Sequence, residues 1–258
     1  MPLPVSKWGH PYGYTGPRMT GYRLASFDES RPDFTLAQAP MVKDGLFPAV
    51  RDQGQEGSCV CFATTTHKSA NDLEQNISTP RIYSPQEIYY HYRDKVEHDT
   101  ADDTGCGILA LMELVKKDGV CVESLWPYTM EDFDVPPSAA AYADAANHKF
   151  SKLAPLTTLE DMILCVASGY GFVAGIAIFQ SFEDAWDKGG VVPMPGSSEK
   201  FLGGHGVFCN YYDRHRKIFI FQNSWGTSGG LKNRPGYFSL PFDFMTDGDL
   251  VMEVGTGR

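Results

Sequence analysis

The chain lacks any apolar run near the ~18 residues that a membrane-spanning helix needs, which argues against a membrane partner. It lacks a CxxC pair that would suggest zinc, and its six cysteines in 258 residues are too sparse for a disulfide-stapled mini-domain. Cys59 and Cys61 flank a single residue, which is poor spacing for a bridge. Basic residues are outnumbered: 22 Lys and Arg stand against 32 Asp and Glu, for a net charge of −10. Nucleic acid is therefore excluded as the main partner, because phosphate binding runs on clustered cations. The opening MPLPVSKWGHPYGY has no apolar signal core, so reduced thiols in a cytoplasmic setting are expected, with secretion after processing left open. What is present is ordinary globular usage, 42% hydrophobic and 21% charged, enough for one large domain or two modest ones.

Residues 1–48 stand apart. They hold seven of the 17 prolines, with Gly, Tyr and Trp8 between them. Proline at that density sustains neither a helix nor a central strand, so an extended segment on a surface, or a disordered leader, is expected. From Ala49 the chain becomes regular. Helices are expected over 59–76, over 85–95 behind a Ser84/Glu87 capping box, and over 107–118 with Gly119 as the stop. Two more are expected over about 137–148 and from Thr158 to about Ser168. Strands follow at 172–179, at 207–212 and 218–221 as a hairpin, and at 236–240. Helices first and strands second imply an α+β protein with a helical lobe over about 49–135 and a β-rich lobe over about 136–258.

Three stretches carry chemistry. The first is Asp52-Gln53-Gly54-Gln55-Glu56-Gly57-Ser58-Cys59-Val60-Cys61. A cysteine in the first turn of a helix meets backbone N–H groups that favour its thiolate, although most free cysteines are small buried hydrophobes. The second, Gly203-Gly204-His205-Gly206, places a histidine at the head of a strand. The third, Gln222-Asn223-Ser224-Trp225-Gly226, ends the paired strand with an amide and an indole. A Cys-His-Asn set of this kind is what a thiol nucleophile requires. The histidine takes the proton, the amide orients the imidazole, and the indole shields their hydrogen bond.

Together these stretches resemble the papain-like cysteine peptidases over roughly residues 44–250, with a QGQxGSC stretch like that of bacterial-type members. Lesser matches fall in order, among them Ser84-Pro85-Gln86-Glu87 and Leu125-Trp126-Pro127-Tyr128. The resemblance implies a papain-like fold with a helical lobe, a β-barrel-like lobe and a cleft between them. It implies an endopeptidase with Cys59 as nucleophile, His205 as base and acid, Asn223 as orienter and Trp225 as shield. Gln53 would supply an N–H to the oxyanion. The 146 residues from Cys59 to His205 suit the ~130–150 expected of such enzymes. No metal or organic cofactor is implied, and the partner is a peptide or protein substrate.

Cys61 falls two residues further along the helix, which turns its side chain ~200° from that of Cys59. The pair Cys59 and His205 is expected to rest as thiolate and imidazolium. The pocket for the second residue before the cut is expected from Gly105, Cys106, Ile108, Gly203 and Gly204, with Ile176 nearby, and to favour a hydrophobic or aromatic side chain. Val60 departs from the family's usual tryptophan. Glu56 and Asp103 replace a cysteine pair bridged in many secreted members, and His91 replaces another cysteine. The Val60 and Glu56 departures leave room for a thiol-dependent acyltransferase or amidase, told apart by transfer to an added amine, while the full Cys59, His205, Asn223 and Gln53 set argues against a binding module on a dead scaffold. The leader is the last feature. Residues 1–27 carry a charge of +3 and the remainder −13, so the leader is expected to lie on the acidic body as a self-inhibiting strap or a buttress.

Overall fold

The structure is a computed structural model that describes residues 1–16, 48–74 and 81–258. Its first half is helical: α1 (Cys59–Glu74), α2 (Pro85–Tyr92) and α3 (Ile108–Lys117). Ser84 caps α2 by accepting from the Glu87 N–H, and the helix runs on as a wider turn over Arg93–Glu97. The capping box is only half made. The Glu87 carboxylate turns to the Cys121 N–H, while Ser84 N–H donates to the Cys121 carbonyl. α3 ends where expected, with two lysines in its last turn and Gly119 at φ +94°.

The second half builds a six-stranded antiparallel sheet from β1 (Leu153–Pro155), β2 (Phe172–Phe179), β3 (Phe201–Asp213), β4 (Ile218–Gln222), β7 (Tyr237–Pro241) and β8 (Val251–Gly257). Its strand order is β1-β8-β2-β3-β4-β7, and β5 (Gly230–Leu231) with β6 (Arg234–Pro235) forms a separate ribbon. Helices α4 (Ala139–Ala145), α5 (Leu159–Ala167), α6 (Gln180–Lys188) and α7 (Phe242–Thr246) flank these strands.

β2 explains its own sequence. Phe172, Ala174, Ile176 and Ile178 face one core with α5, α6 and α7, while Val173 and Ala177 face a second core with α1, α2 and α3. A strand buried on both sides is apolar at every position rather than at alternate ones. Ile176 therefore belongs to the first core. Sequence reading missed β1, α6, β5, β6, α7 and β8, and also the long start of β3. That last extension puts His205 inside a strand, opposite Ile176, rather than at its head. Of the expected first helix, residues 75–76 lie outside the described residues. So do 17–47 of the leader.

All six cysteines are free and buried. At the positions where the resemblance implied missing bridges, polar contacts brace the chain. His91 pairs with Asp118 at 3.1 Å. The Asp103 carboxylate accepts twice from the Gly57 N–H, at 3.1 and 2.9 Å, and also from the Tyr89 hydroxyl. Glu56, 2% exposed, accepts from Gln86 at 3.3 Å. Burial chiefly, with Asp103 adding to it, raises the Glu56 carboxyl from 4.5 to about 7, so Glu56 is the acid that relieves their repulsion by keeping a proton.

An acid raised in the folded chain binds a proton that the unfolded chain has lost. Its contribution is complete below 4.5 and declines as pH rises to about 7. Glu56→Gln removes that titration. Relative to the wild type, its melting temperature is expected to rise between pH 5 and pH 8, and parallel melting curves would contradict the assignment.

Candidate active site

Cys59 opens α1 after the Gly57-Ser58 turn, and the first helical turn closes with the Phe62 N–H donating to the Ser58 carbonyl. The site then assembles through backbone pairing. Asp52 bridges Trp225, and the Gln53 N–H donates to the Ser224 carbonyl at 2.9 Å. β3 and β4 pair Phe208 with Gln222, which brings His205 and Asn223 together from adjacent strands.

His205 Nε2 lies 2.7 Å from Asn223 Oδ1, and both residues are buried. The Trp225 ring sits over the imidazole, 4.7 Å between centroids and tilted by 34°. The His205 Nδ1 is buried with no hydrogen-bond partner among the described residues, and the next residue, Gly206, donates its N–H to Cys59 Sγ at 3.3 Å. Gln53 is fixed at both ends of its amide: Oε1 accepts from Ser224 Oγ at 2.7 Å, while Nε2 donates to the Glu56 carbonyl at 2.8 Å. Cys61 lies away from this set, its sulfur 3.6 Å from that of Cys106.

The leader runs through the cleft. A turn pairs Val5 with Pro11, and the chain then crosses the site over residues 11–15. The Pro11 carbonyl accepts from Gln53 Nε2 at 3.1 Å. The Gly13 N–H faces the Cys59 thiol. The Gly13 carbonyl accepts from the Cys106 N–H at 2.7 Å, Tyr14 N–H donates to the Gly204 carbonyl at 3.1 Å, and Thr15 N–H donates to the Cys106 carbonyl at 3.2 Å. Side chains anchor it further. The Tyr12 hydroxyl donates to buried Glu183 at 2.7 Å, His10 stacks on Trp225, and Lys7 pairs with Asp187 at 2.9 Å. Opposite charge contributes the half-exposed Lys7–Asp187 pair, and His10 Nδ1 lies 3.6 Å from Asp52 Oδ1. Arg18 and Arg23 lie outside the described residues.

Covering the site changes its electrostatics. Burial raises the Cys59 thiol from 9.0 to about 12 and lowers the His205 imidazole from 6.5 to about 4, so the covered pair rests as neutral thiol and neutral imidazole. The thiolate–imidazolium pair expected from sequence is therefore not the resting form of the covered site.

Of the expected pocket residues, Gly105, Cys106, Ile108 and Gly204 surround Gly13 and Tyr14. Gly203 instead faces Tyr12: a Cβ there would lie 2.7 Å from the Tyr12 Cβ. Sequence reading missed Gly175, whose Cβ would strike the Tyr14 ring at 2.7 Å, and Glu253, which meets the Tyr14 hydroxyl at 3.3 Å. The signal for Glu253 was an acid set among Val251, Met252 and Val254, an unusual place for a charge unless it has partners.

The family model of papain family cysteine proteases matches residues 39–245. The chain belongs to that family. It is 30% identical over 237 residues to an uncharacterised peptidase C1-like protein of Acanthamoeba polyphaga mimivirus, covering 83% of this chain and 74% of the viral one. It is 28% identical to the rice cysteine endopeptidase Rep1, covering 81% of this chain but only 54% of the plant protein. Among solved structures, xylellain, a cysteine protease from Xylella fastidiosa, superposes with a TM-score of 0.85 at 25% identity, covering 100% of this chain and 98% of that one. The α+β fold expected from sequence is thus papain-like, and the chain is a cysteine protease.

The opposite facing of the two helix cysteines gives a direct test. Cys59→Ala is expected to abolish peptide hydrolysis and Cys61→Ala to leave most of it, with folding checked by circular dichroism. Gln53→Ala is expected to lower turnover by ~10²–10³ with little change in KM, as for other donors to an oxyanion. A change in KM alone would make Gln53 a substrate-binding residue.

Proposed function

We propose that this protein is a cysteine endopeptidase acting through Cys59, His205, Asn223 and Gln53, and that residues 1–16 hold it in a covered state. In the uncovered site His205 Nδ1 takes the Cys59 proton and Asn223 holds the ring from the far side. The thiolate adds to a peptide carbonyl, whose oxyanion Gln53 Nε2 receives. Collapse breaks the C–N bond, and the imidazolium gives its proton to the leaving amine. Water, activated by the same imidazole, then releases the acyl group from sulfur.

The observation that carries the reading is the 2.7 Å His205–Asn223 hydrogen bond, with Nδ1 left unpaired beside the Cys59 helix. What supports the covered state is the set of groups the leader occupies. Pro11 takes the Gln53 N–H, and Gly13 presents an N–H to the sulfur where attack needs a carbonyl carbon. A strap seated this way blocks the nucleophile without serving as its substrate.

Gly13 makes the closest approach: a Cβ there would fall 1.8 Å from the Gly57 carbonyl oxygen. Gly13→Ala in the full chain is therefore expected to lift the strap, raising both Cys59 labelling by iodoacetamide at pH 7 and hydrolysis of an unstructured protein. Cys59→Ala on the same background is expected to remove both gains. Unchanged labelling and turnover in Gly13→Ala would refute the covered state. Labelling without any peptide hydrolysis would refute the peptidase reading.

A further inference from the structure

The β3–β4–β7 end of the sheet carries a cavity that none of the residues around Cys59 lines. In register across these strands, Tyr211 pairs with Ile220 and Ile220 with Ser239, and Ile218 lies two residues back on the same face. Their neighbours Tyr212, Phe219, Phe221 and Leu240 point the other way, into the first core. Over this floor the β5–β6 ribbon and the segment at Val191 close a cavity of about 380 Å³, the size of a small-molecule site. The Val191 side is tied down by Ser239, whose N–H donates to the Gly190 carbonyl at 2.8 Å and whose carbonyl accepts from the Val192 N–H at 3.1 Å.

Much of the lining is apolar. Ile218, Ile220 and Leu231 are half-buried there, and Val191 is 69% exposed. The polar groups are mostly donors. Arg216 from the β3–β4 turn and Arg234 from β6 both line the cavity, and neither guanidinium has an ion-pair partner among the described residues. Arg234 is held in direction by lying over the Tyr237 ring, 4.0 Å from its centroid, which leaves its N–H edge for an acceptor. Both charges act at one place, the Tyr211 hydroxyl: burial chiefly, then Asp213, raises that phenol, and Arg216 and Arg234 oppose the rise. Asp213 Oδ1 is engaged by the turn, where it accepts from the His215 and Arg216 N–H groups at 2.9 and 3.0 Å. Ser239, 3% exposed, brings a hydroxyl with no hydrogen-bond partner among the described residues. A hydroxyl that deep without a partner points to one supplied from the cavity.

We propose that this cavity binds a small carboxylate carried on an apolar body, with Arg216 and Arg234 on the carboxylate and Ile218, Ile220 and Leu231 against the body. A guanidinium presents paired N–H donors that match an oxyanion. The lining charges decide which oxyanion. Two guanidinium groups against the Asp213 carboxylate leave one positive charge, as a carboxylate needs, whereas a phosphate monoester brings close to two negative ones. A free aryl carboxylic acid and the C-terminal residue of a peptide share this chemistry. The proposal depends neither on the leader nor on Cys59.

The test titrates the full-length chain with naphthoate in a calorimeter, beside neutral naphthamide and naphthyl phosphate. Naphthoate is expected to bind about tenfold tighter than the amide, since charge-assisted hydrogen bonds are roughly twice as strong as neutral ones. Arg216→Gln, at an exposed turn position, and Arg234→Gln are each expected to weaken naphthoate about tenfold and to leave the amide unchanged, with folding checked by circular dichroism. A crystal soaked with a bromonaphthoate is expected to show bromine against Ile218 and Ile220. Displacement of naphthoate by N-acetylphenylalanine would mark a peptide end as a source of the ligand, and naphthoate held against it would mark a small free acid. No binding at millimolar naphthoate, equal affinity for acid and amide, or undiminished binding in Arg216→Gln would overturn the proposal even if Arg234→Gln did not fold. Tighter binding of the phosphate would overturn the choice of carboxylate, and bromine found in the cleft beside Cys59 would overturn the site.

Discussion

Much of this structure depends on keeping water away from one hydrogen bond, that between His205 Nε2 and Asn223 Oδ1. It joins two strands, so β3 and β4 must pair in the observed register for it to exist. Trp225 lies over it and is itself walled in by Phe182 and Trp186 from α6. Inside such a wall an amide-to-imidazole bond is stronger than in water and holds the ring in one orientation. The segment after Asn223 also pairs with Asp52 and Gln53. One loop therefore serves the imidazole, the indole and the Gln53 amide at once.

The leader uses the same features. Trp8 and His10 pack on Trp225, and Tyr12 sits edge-on to His205. Pro11 and Gly13 take the groups to which the proposed mechanism gives the chemistry, Gln53 Nε2 and the Cys59 thiol. Covering these groups also takes the charges out of water, so a buried thiol and a buried imidazole both settle in their neutral forms. In the proposed covered state, resting electrostatics and steric block act together. Both are removed when the strap leaves.

The loop before Cys59 shows how a chain without a bridge can stay in place. Asp103 grips the Gly57 N–H and so ties the loop before Cys59 to the segment before α3. A carboxylate accepting from backbone N–H groups is directional, and the neighbouring Glu56 is accommodated by retaining its proton.

The sequence by itself determined the family, the α+β class, most of the helices and the residues that meet at the site. It could do so because caps, periodicity and the motif stretches are local in the chain. Leader and body were also legible as different in composition and charge. What only the tertiary structure decided involves residues far apart in sequence. Glu253 meets Tyr14 across 239 positions, and no local pattern encodes that encounter. Gly203 and Gly204 adjoin in the chain, yet alternate strand faces send one to Tyr12 and the other to Tyr14. The neutral resting state of Cys59 and His205 was illegible for the same reason. It follows from burial under a segment whose docking depends on the shape of the cleft, and burial is a property of the fold rather than of any residue in it.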